Sequence, residues 1–92
     1  MSIVVRFQPA NVSKQQYDSV KSQLEEAGDW PVDGCQVHVC FGDEDNIRVS
    51  EIWESRDQFE AFGEKLRPRL DENGIQLAGE PEVFEVLNLE TA

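Results

Sequence analysis

Val49-Ser-Glu-Ile-Trp-Glu-Ser-Arg-Asp-Gln-Phe-Glu-Ala-Phe62 is the stretch on which the reading of this chain turns. With Ile47 and Arg48 just upstream, Ile47, Val49, Glu51 and Trp53 alternate with Arg48, Ser50, Ile52 and Glu54, which is the period of a β-strand. At Ser55 the period changes. Phe59, Phe62, Leu66 and Leu70 follow at helical spacing, and Ser55-Arg-Asp-Gln58 has the form of a capping box able to satisfy orphan backbone donors of a first helical turn. A strand therefore runs into a helix with almost no loop between them.

Upstream, Ile3-Val-Val-Arg-Phe-Gln8 reads as a first strand with apolar residues at both parities, ended by Pro9. Ser13-Lys-Gln-Gln16 is a second capping box. It opens a helix whose stripe is Tyr17, Val20, Leu24 and Ala27, closed by Gly28 at C′. After the turn-forming Asp29-Trp-Pro-Val-Asp-Gly34, Cys35-Gln-Val-His-Val-Cys-Phe41 is a second strand, and Gly42-Asp-Glu-Asp-Asn46 turns the chain into the third. Placing Phe41 opposite Ile47 sets Val39 against Val49 and His38 against Ser50. The second helix starts near Arg56, and Pro68 should kink it or restart it as a short extra turn. Asp71-Glu-Asn-Gly74 stops it, and Glu82-Val-Phe-Glu-Val-Leu-Asn-Leu89 is a fourth strand with apolar groups at both parities.

The order β-α-β-β-α-β over one domain, residues 1–92, predicts an α+β fold. Its leading form is the ferredoxin-like plan, with an antiparallel four-stranded sheet and two helices on one face. A chain this short buries only roughly 60–65% of its unfolded surface. Two helices leave Val4, Ile52, Phe84 and Val86 on an open face. If about 300 Å² of that face stayed wet, the forgone stabilisation would be about 7–8 kcal/mol, comparable with the whole stability of a small domain. A second copy packed sheet to sheet about a two-fold axis removes the cost, so a homodimer through the open face is expected.

The net charge of −11 leaves no basic patch for a phosphate backbone, and nucleic acid is not expected as a partner. The acidity fits a solvated exterior, with a high-salt habitat or partner steering as alternatives. No apolar run is long enough for a bilayer, and Met1-Ser-Ile-Val-Val-Arg6 reads as a strand rather than a leader, so a cytoplasmic protein is expected, with no membrane partner. Cys35 and Cys40 are an odd number of residues apart on one strand. That places them on opposite faces about 17 Å apart, beyond disulfide reach. With one histidine and two cysteines no metal set is expected, and no phosphate loop or paired-carboxylate signature is present.

Candidate chemistry gathers on the face that holds His38, Cys40, Arg48 and Ser50, joined by parity by Arg6 and Asn88. This polar set suits a cavity between the sheets of two copies. The opposite assignment stays open, because Glu51 fits poorly against helices and one bulge would exchange the faces. His38 is the candidate catalytic base, since its ordinary pKa lies near neutrality; the alternative is a hydrogen-bonded histidine inside the dimer. Cys40, two residues away on the same strand, suggests a Cys-His pair only weakly, because such neighbours rarely touch. Arg6 and Arg48 could hold an anionic group or pair with Glu51, Glu54 or Glu85. Trp53 could lean over a pocket or belong to the core.

The Pro31-Val-Asp-Gly-Cys35 approach to the second strand, the Ser50-Glu-Ile-Trp-Glu-Ser55 end of the third, and the Phe59/Phe62 stripe followed by Pro68 together resemble the dimeric α+β-barrel superfamily, in particular its antibiotic-biosynthesis-monooxygenase-like domains. The resemblance covers nearly the whole chain. It implies a dimeric α+β barrel, and an activity among cofactor-independent oxygenases of polycyclic aromatics or quinols, haem-degrading enzymes, or members without known activity. Monooxygenase-like members often place a histidine where Phe62 stands. The residues that haem-degrading members use are absent: no asparagine on the first strand, Phe62 in place of a tryptophan, and Leu70-Asp-Glu-Asn73 in place of a histidine ligand. No cofactor is expected. The residues do not specify a reaction or say whether there is one. The leading reading is a homodimer binding a small hydrophobic or aromatic molecule, with monooxygenase-like activity as one possibility. The other reading is a non-catalytic module with a filled barrel core, used for assembly or regulation.

Overall fold

A computed structural model describes residues 1–92. The elements are β1 (Ile3–Arg6), α1 (Lys14–Glu26), β2 (Cys35–Asp43), β3 (Asn46–Trp53), α2 (Arg56–Glu72) and β4 (Glu82–Glu85). They form one antiparallel sheet in the order β2-β3-β1-β4, the ferredoxin-like arrangement expected from the element order. No helix is long and apolar enough to cross a membrane.

Local signals set the helices. Ser13 caps α1 with a reciprocal box to Gln16, and Gly28 follows the C-cap with φ of +77°, a conformation that glycine adopts without a Cβ penalty. At α2 only half of the expected box forms: Ser55 accepts from the Gln58 amide, while the Gln58 side chain meets the Ser55 hydroxyl instead of its backbone. Helix α2 runs unbroken past Pro68 to Glu72. No separate turn restarts there, and Phe62, Leu66 and Leu70 stay on one stripe against the sheet.

The core lies on one side of the sheet. Ile3 and Val5 of β1 and Ile47 and Trp53 of β3 pack under Val20 and Leu24 of α1 and Phe62 of α2, with Val12 and Ile75 closing the ends. Trp53 is fully buried, a core residue rather than the wall of a pocket. On the opposite face Val4, Ile52, Val37, Val39, Phe41 and Phe84 share a surface by register. There Val37, Val39, Phe41 and Phe84 are 39–52% exposed. This is the uncovered apolar face that the imbalance of two helices against one sheet requires.

The hairpin register differs from the expected one by a single residue. Pairing continues to Asp43 opposite Asn46 and closes over only two residues, Glu44 and Asp45. A two-residue loop has the opposite parity to the five-residue loop assumed from the polar run. Phe41 therefore faces Arg48, Val39 faces Ser50 and His38 faces Glu51, and the β2 side chains from Val37 onward change sides relative to the reading from sequence. A bulge between Cys35 and Val37 restores the earlier parity at Cys35, which pairs with Trp53. Both cysteines thus pack against the same core instead of pointing to opposite faces, and both are free. Strand β4 is also shorter than expected. It ends at Glu85, leaving Leu87 and Leu89 exposed in a tail joined to the sheet by the Val86 amide on the Ser2 carbonyl.

Candidate functional site

Between the sheet and the two helices lies an open-mouthed cavity of about 90 Å³. Its walls are overwhelmingly apolar, among them Phe7, Val12, Val20, Leu24, Trp30, Ile47, Phe62 and Leu70, and its few polar groups are Tyr17, Lys21, His38 and Glu51. The register change explains this placement: paired with Glu51 rather than Ser50, His38 points at the helices.

Three of these polar groups are joined in line. Tyr17 Oη lies 2.6 Å from His38 Nε2, His38 Nδ1 lies 2.6 Å from Glu51 Oε2, and Trp53 Nε1 donates to Glu51 Oε1 at 2.9 Å. Glu51 is the only buried charged residue of the chain, at 3% exposure. Both of its oxygens are occupied, which is how a carboxylate is tolerated among core side chains. A carboxylate only accepts, so Trp53 Nε1–H and His38 Nδ1–H both donate to Glu51; in the neutral imidazole Nε2 is then the acceptor and the Tyr17 hydroxyl donates to it. No buried side-chain polar atom lacks a partner.

Aromatic rings fix the imidazole from the remaining sides. Tyr17 stacks on it with centroids 5.8 Å apart and planes 17° from parallel, while Trp30 meets it edge-on at 5.0 Å and reaches Phe62 at 5.7 Å. Trp30, within the irregular connection between α1 and β2, is thus both a lid on the histidine and a piece of the core edge. Burial, helped by the charges of Cys40 and Glu51, pushes the Tyr17 phenol up to about 12. At neutral pH Tyr17 is a hydrogen-bond donor and proton conduit rather than a resting phenolate.

The arrangement can accept a proton. A ligand hydroxyl or acidic C–H placed at Tyr17 Oη passes its proton to Tyr17 as the Tyr17 proton moves to His38 Nε2. The imidazolium so formed lies against Glu51, whose charge stabilises it.

Of the residues singled out from sequence, the structure brings only His38 to this site as a ligand-facing group. Cys40 shares its side of the sheet but has no hydrogen bond to His38, and burial raises its thiol; burial and the Glu51 charge push Cys35 up to about 11. Neither is a poised nucleophile. Arg6, Arg48 and Ser50 lie on the open face, away from the cavity. Asn88 lies beyond β4 in the exposed tail, bonded to Glu90. Trp30, which from sequence alone could guard a pocket mouth or cap the edge of the core, lies in the cavity wall, whereas Tyr17 and Glu51 are the site residues that sequence reasoning missed. The misfit of Glu51 in an apolar strand face was the available signal, because a buried carboxylate demands buried donors.

No curated protein and no protein-family profile matches the chain. Solved structures do. A presumed antibiotic biosynthesis monooxygenase from Chloroflexus aurantiacus superposes with a TM-score of 0.60 at 18% identity, covering 98% of this chain and 95% of that one. SnoaB, a cofactor-independent oxygenase from Streptomyces nogalater, gives 0.58 at 18% identity, with 96% and 93% covered. A Nitrosomonas europaea protein of unknown function gives 0.59 at 11% identity, covering 99% and 92%. End-to-end superposition on these structures, together with the antiparallel β2-β3-β1-β4 sheet, shows that the chain has the fold of the antibiotic-biosynthesis-monooxygenase-like domains.

Proposed function

We propose that the protein binds a small, largely apolar or aromatic molecule between the sheet and helices of each subunit and removes a proton from it through Tyr17, His38 and Glu51. One observation carries the reading: the only buried carboxylate and the only histidine are hydrogen-bonded in line and end on a tyrosine hydroxyl in the wall of an apolar cavity. A filled, purely structural core has no need of that arrangement, since apolar residues of similar volume cost less to bury. The cavity is smaller than an engineered pocket of about 150 Å³ that admits benzene. Its ligand is therefore a short branched chain held within it, or a ring or larger molecule that enters by displacing Trp30 at the open mouth.

Deprotonation also suits oxygenase chemistry without a cofactor, because an electron-rich carbanion or phenolate can pass electrons directly to dioxygen. Conversion of an activated CH₂ to C=O uses one O₂, one oxygen entering the product and the other leaving as water. The likeness to a cofactor-independent oxygenase supports this extension. Two copies pack through the open sheet face, covering Val37, Val39, Phe41 and Phe84. Free cysteines suit a reducing compartment such as the cytoplasm.

An oxygen electrode with a panel of dihydroxyaromatics and anthrone-like carbon acids, using protein freed of metal by chelation, tests the reading. Oxygen uptake lost in His38→Ala and in Glu51→Gln, with the fold retained, supports the oxygenase. Binding without uptake reduces it to a binding protein, and absence of both returns the protein to a structural module.

A further inference from the structure

Lys21 stands out in the cavity wall. It is the one cation there, in a chain of net charge −11. It is half-buried on α1, one turn beyond Tyr17 and between the buried Val20 and Leu24. Its chain takes part in none of the five ion pairs of the protein, although Glu25 lies at the i+4 position where a partner is readily found. Lys14 and Lys65, the other two lysines, are both paired, with Asp18 and Asp29. At the far end of the polar set, both oxygens of Glu51 are already held by His38 and Trp53. The cavity is thus apolar in body, with a carboxylate whose oxygens are both hydrogen-bonded in one part of its wall and, in another, the one lysine that stands outside every ion pair.

We infer that the ligand of this cavity is a small apolar acid bound as its anion, with its hydrocarbon body among Val20, Leu24, Trp30 and Phe62 and its negative group on Lys21. The inference rests on the binding site proposed above and names the class of molecule it takes. Lys21 selects by charge: a group that is partly desolvated against an apolar wall discriminates an anion from its neutral isostere more strongly than a lysine in open water does. An ammonium is a compact point charge, so a carboxylate or a phenolate would serve equally.

Two matched probe pairs test it, benzoate against benzamide and isobutyrate against isobutyramide, titrated by the shift of the Trp30 indole resonance at low and high salt. The expected result is a preference for each acid of about five- to tenfold, corresponding to about 1–1.4 kcal/mol, falling as salt is added. Lys21→Met should remove the preference, Lys21→Arg should retain it, and Lys21→Glu should reverse it. Leu24→Trp, which fills the cavity, should abolish binding of all four probes. Equal binding of acid and amide to the natural protein, still blocked by Leu24→Trp, overturns the role of Lys21 and leaves the cavity standing. No binding of any probe, or binding indifferent to Leu24→Trp, overturns the site and this inference together.

Discussion

Changing Glu51 to glutamine perturbs the line of hydrogen bonds at its charged end while keeping its shape. The glutamine carbonyl can still accept from Trp53, but its amide nitrogen now faces His38 Nδ1, where an acceptor stood 2.6 Å away. Hydrogen bonds to charged groups are worth about 1.5–3 kcal/mol and neutral ones about 0.5–1.5. Glu51→Gln should therefore cost about 1.5–3 kcal/mol. Glu51→Leu leaves both the indole and the imidazole donor without an acceptor, at about 1–3 kcal/mol each, and should cost about 2–6. With a urea slope of about 1 kcal/mol per M for a chain this short, the glutamine variant should unfold about 1.5–3 M earlier. A cycle with His38→Asn isolates the pair, and its coupling energy should be about 1–3 kcal/mol. Coupling below about 0.5 kcal/mol, or Glu51→Leu equal in stability to the natural protein, would refute the claim that the histidine and carboxylate form one buried unit.

Tyr17 is the only tyrosine, so phenolate absorbance reports it alone. Its midpoint should lie near 12 rather than 10. Between those values the folded state holds the proton that the unfolded chain has released, so stability should be full below pH 10 and fall as pH rises toward 12; an ordinary midpoint with no such loss contradicts the buried phenol. Phe41→Glu together with Phe84→Lys, both on the open face, should convert a dimer to a monomer by light scattering while circular dichroism stays native, and a wild-type monomer at all concentrations would sink the sheet-to-sheet pairing. Both thiols should react slowly with a disulfide reagent at pH 8 in the native state and fast in denaturant, because burial raises each. Fast native reaction would show that the second strand is open to solvent.

Much of the architecture was legible because local signals agreed with each other. The capping serines, Gly28 and the change of period at Ser55 all mark boundaries that the structure keeps. Two helices against a sheet with apolar residues at both parities led directly to an uncovered face. The site was not legible, for a reason of parity. A polar run of five residues between Phe41 and Ile47 does not say how many of them pair, and continuing the ladder to Asp43 and Asn46 turned over the β2 side chains from Val37 onward. That moved His38 from the open face to the helices and separated it from Arg6, Arg48 and Ser50. The misfit of Glu51 already pointed to the outcome: a carboxylate among Ile47, Val49 and Trp53 is stable only with donors beside it, and Trp53 and His38 supply them.

The polarity of the line of hydrogen bonds can be read directly, because the chain has a single histidine. Nitrogen NMR of the labelled imidazole at neutral pH should show His38 Nδ1 carrying the proton and Nε2 bare and hydrogen-bonded, with Tyr17→Phe shifting Nε2 alone. A proton on Nε2 instead, or the averaged signals of a free imidazole unaffected by Tyr17→Phe and Glu51→Gln, would contradict the site.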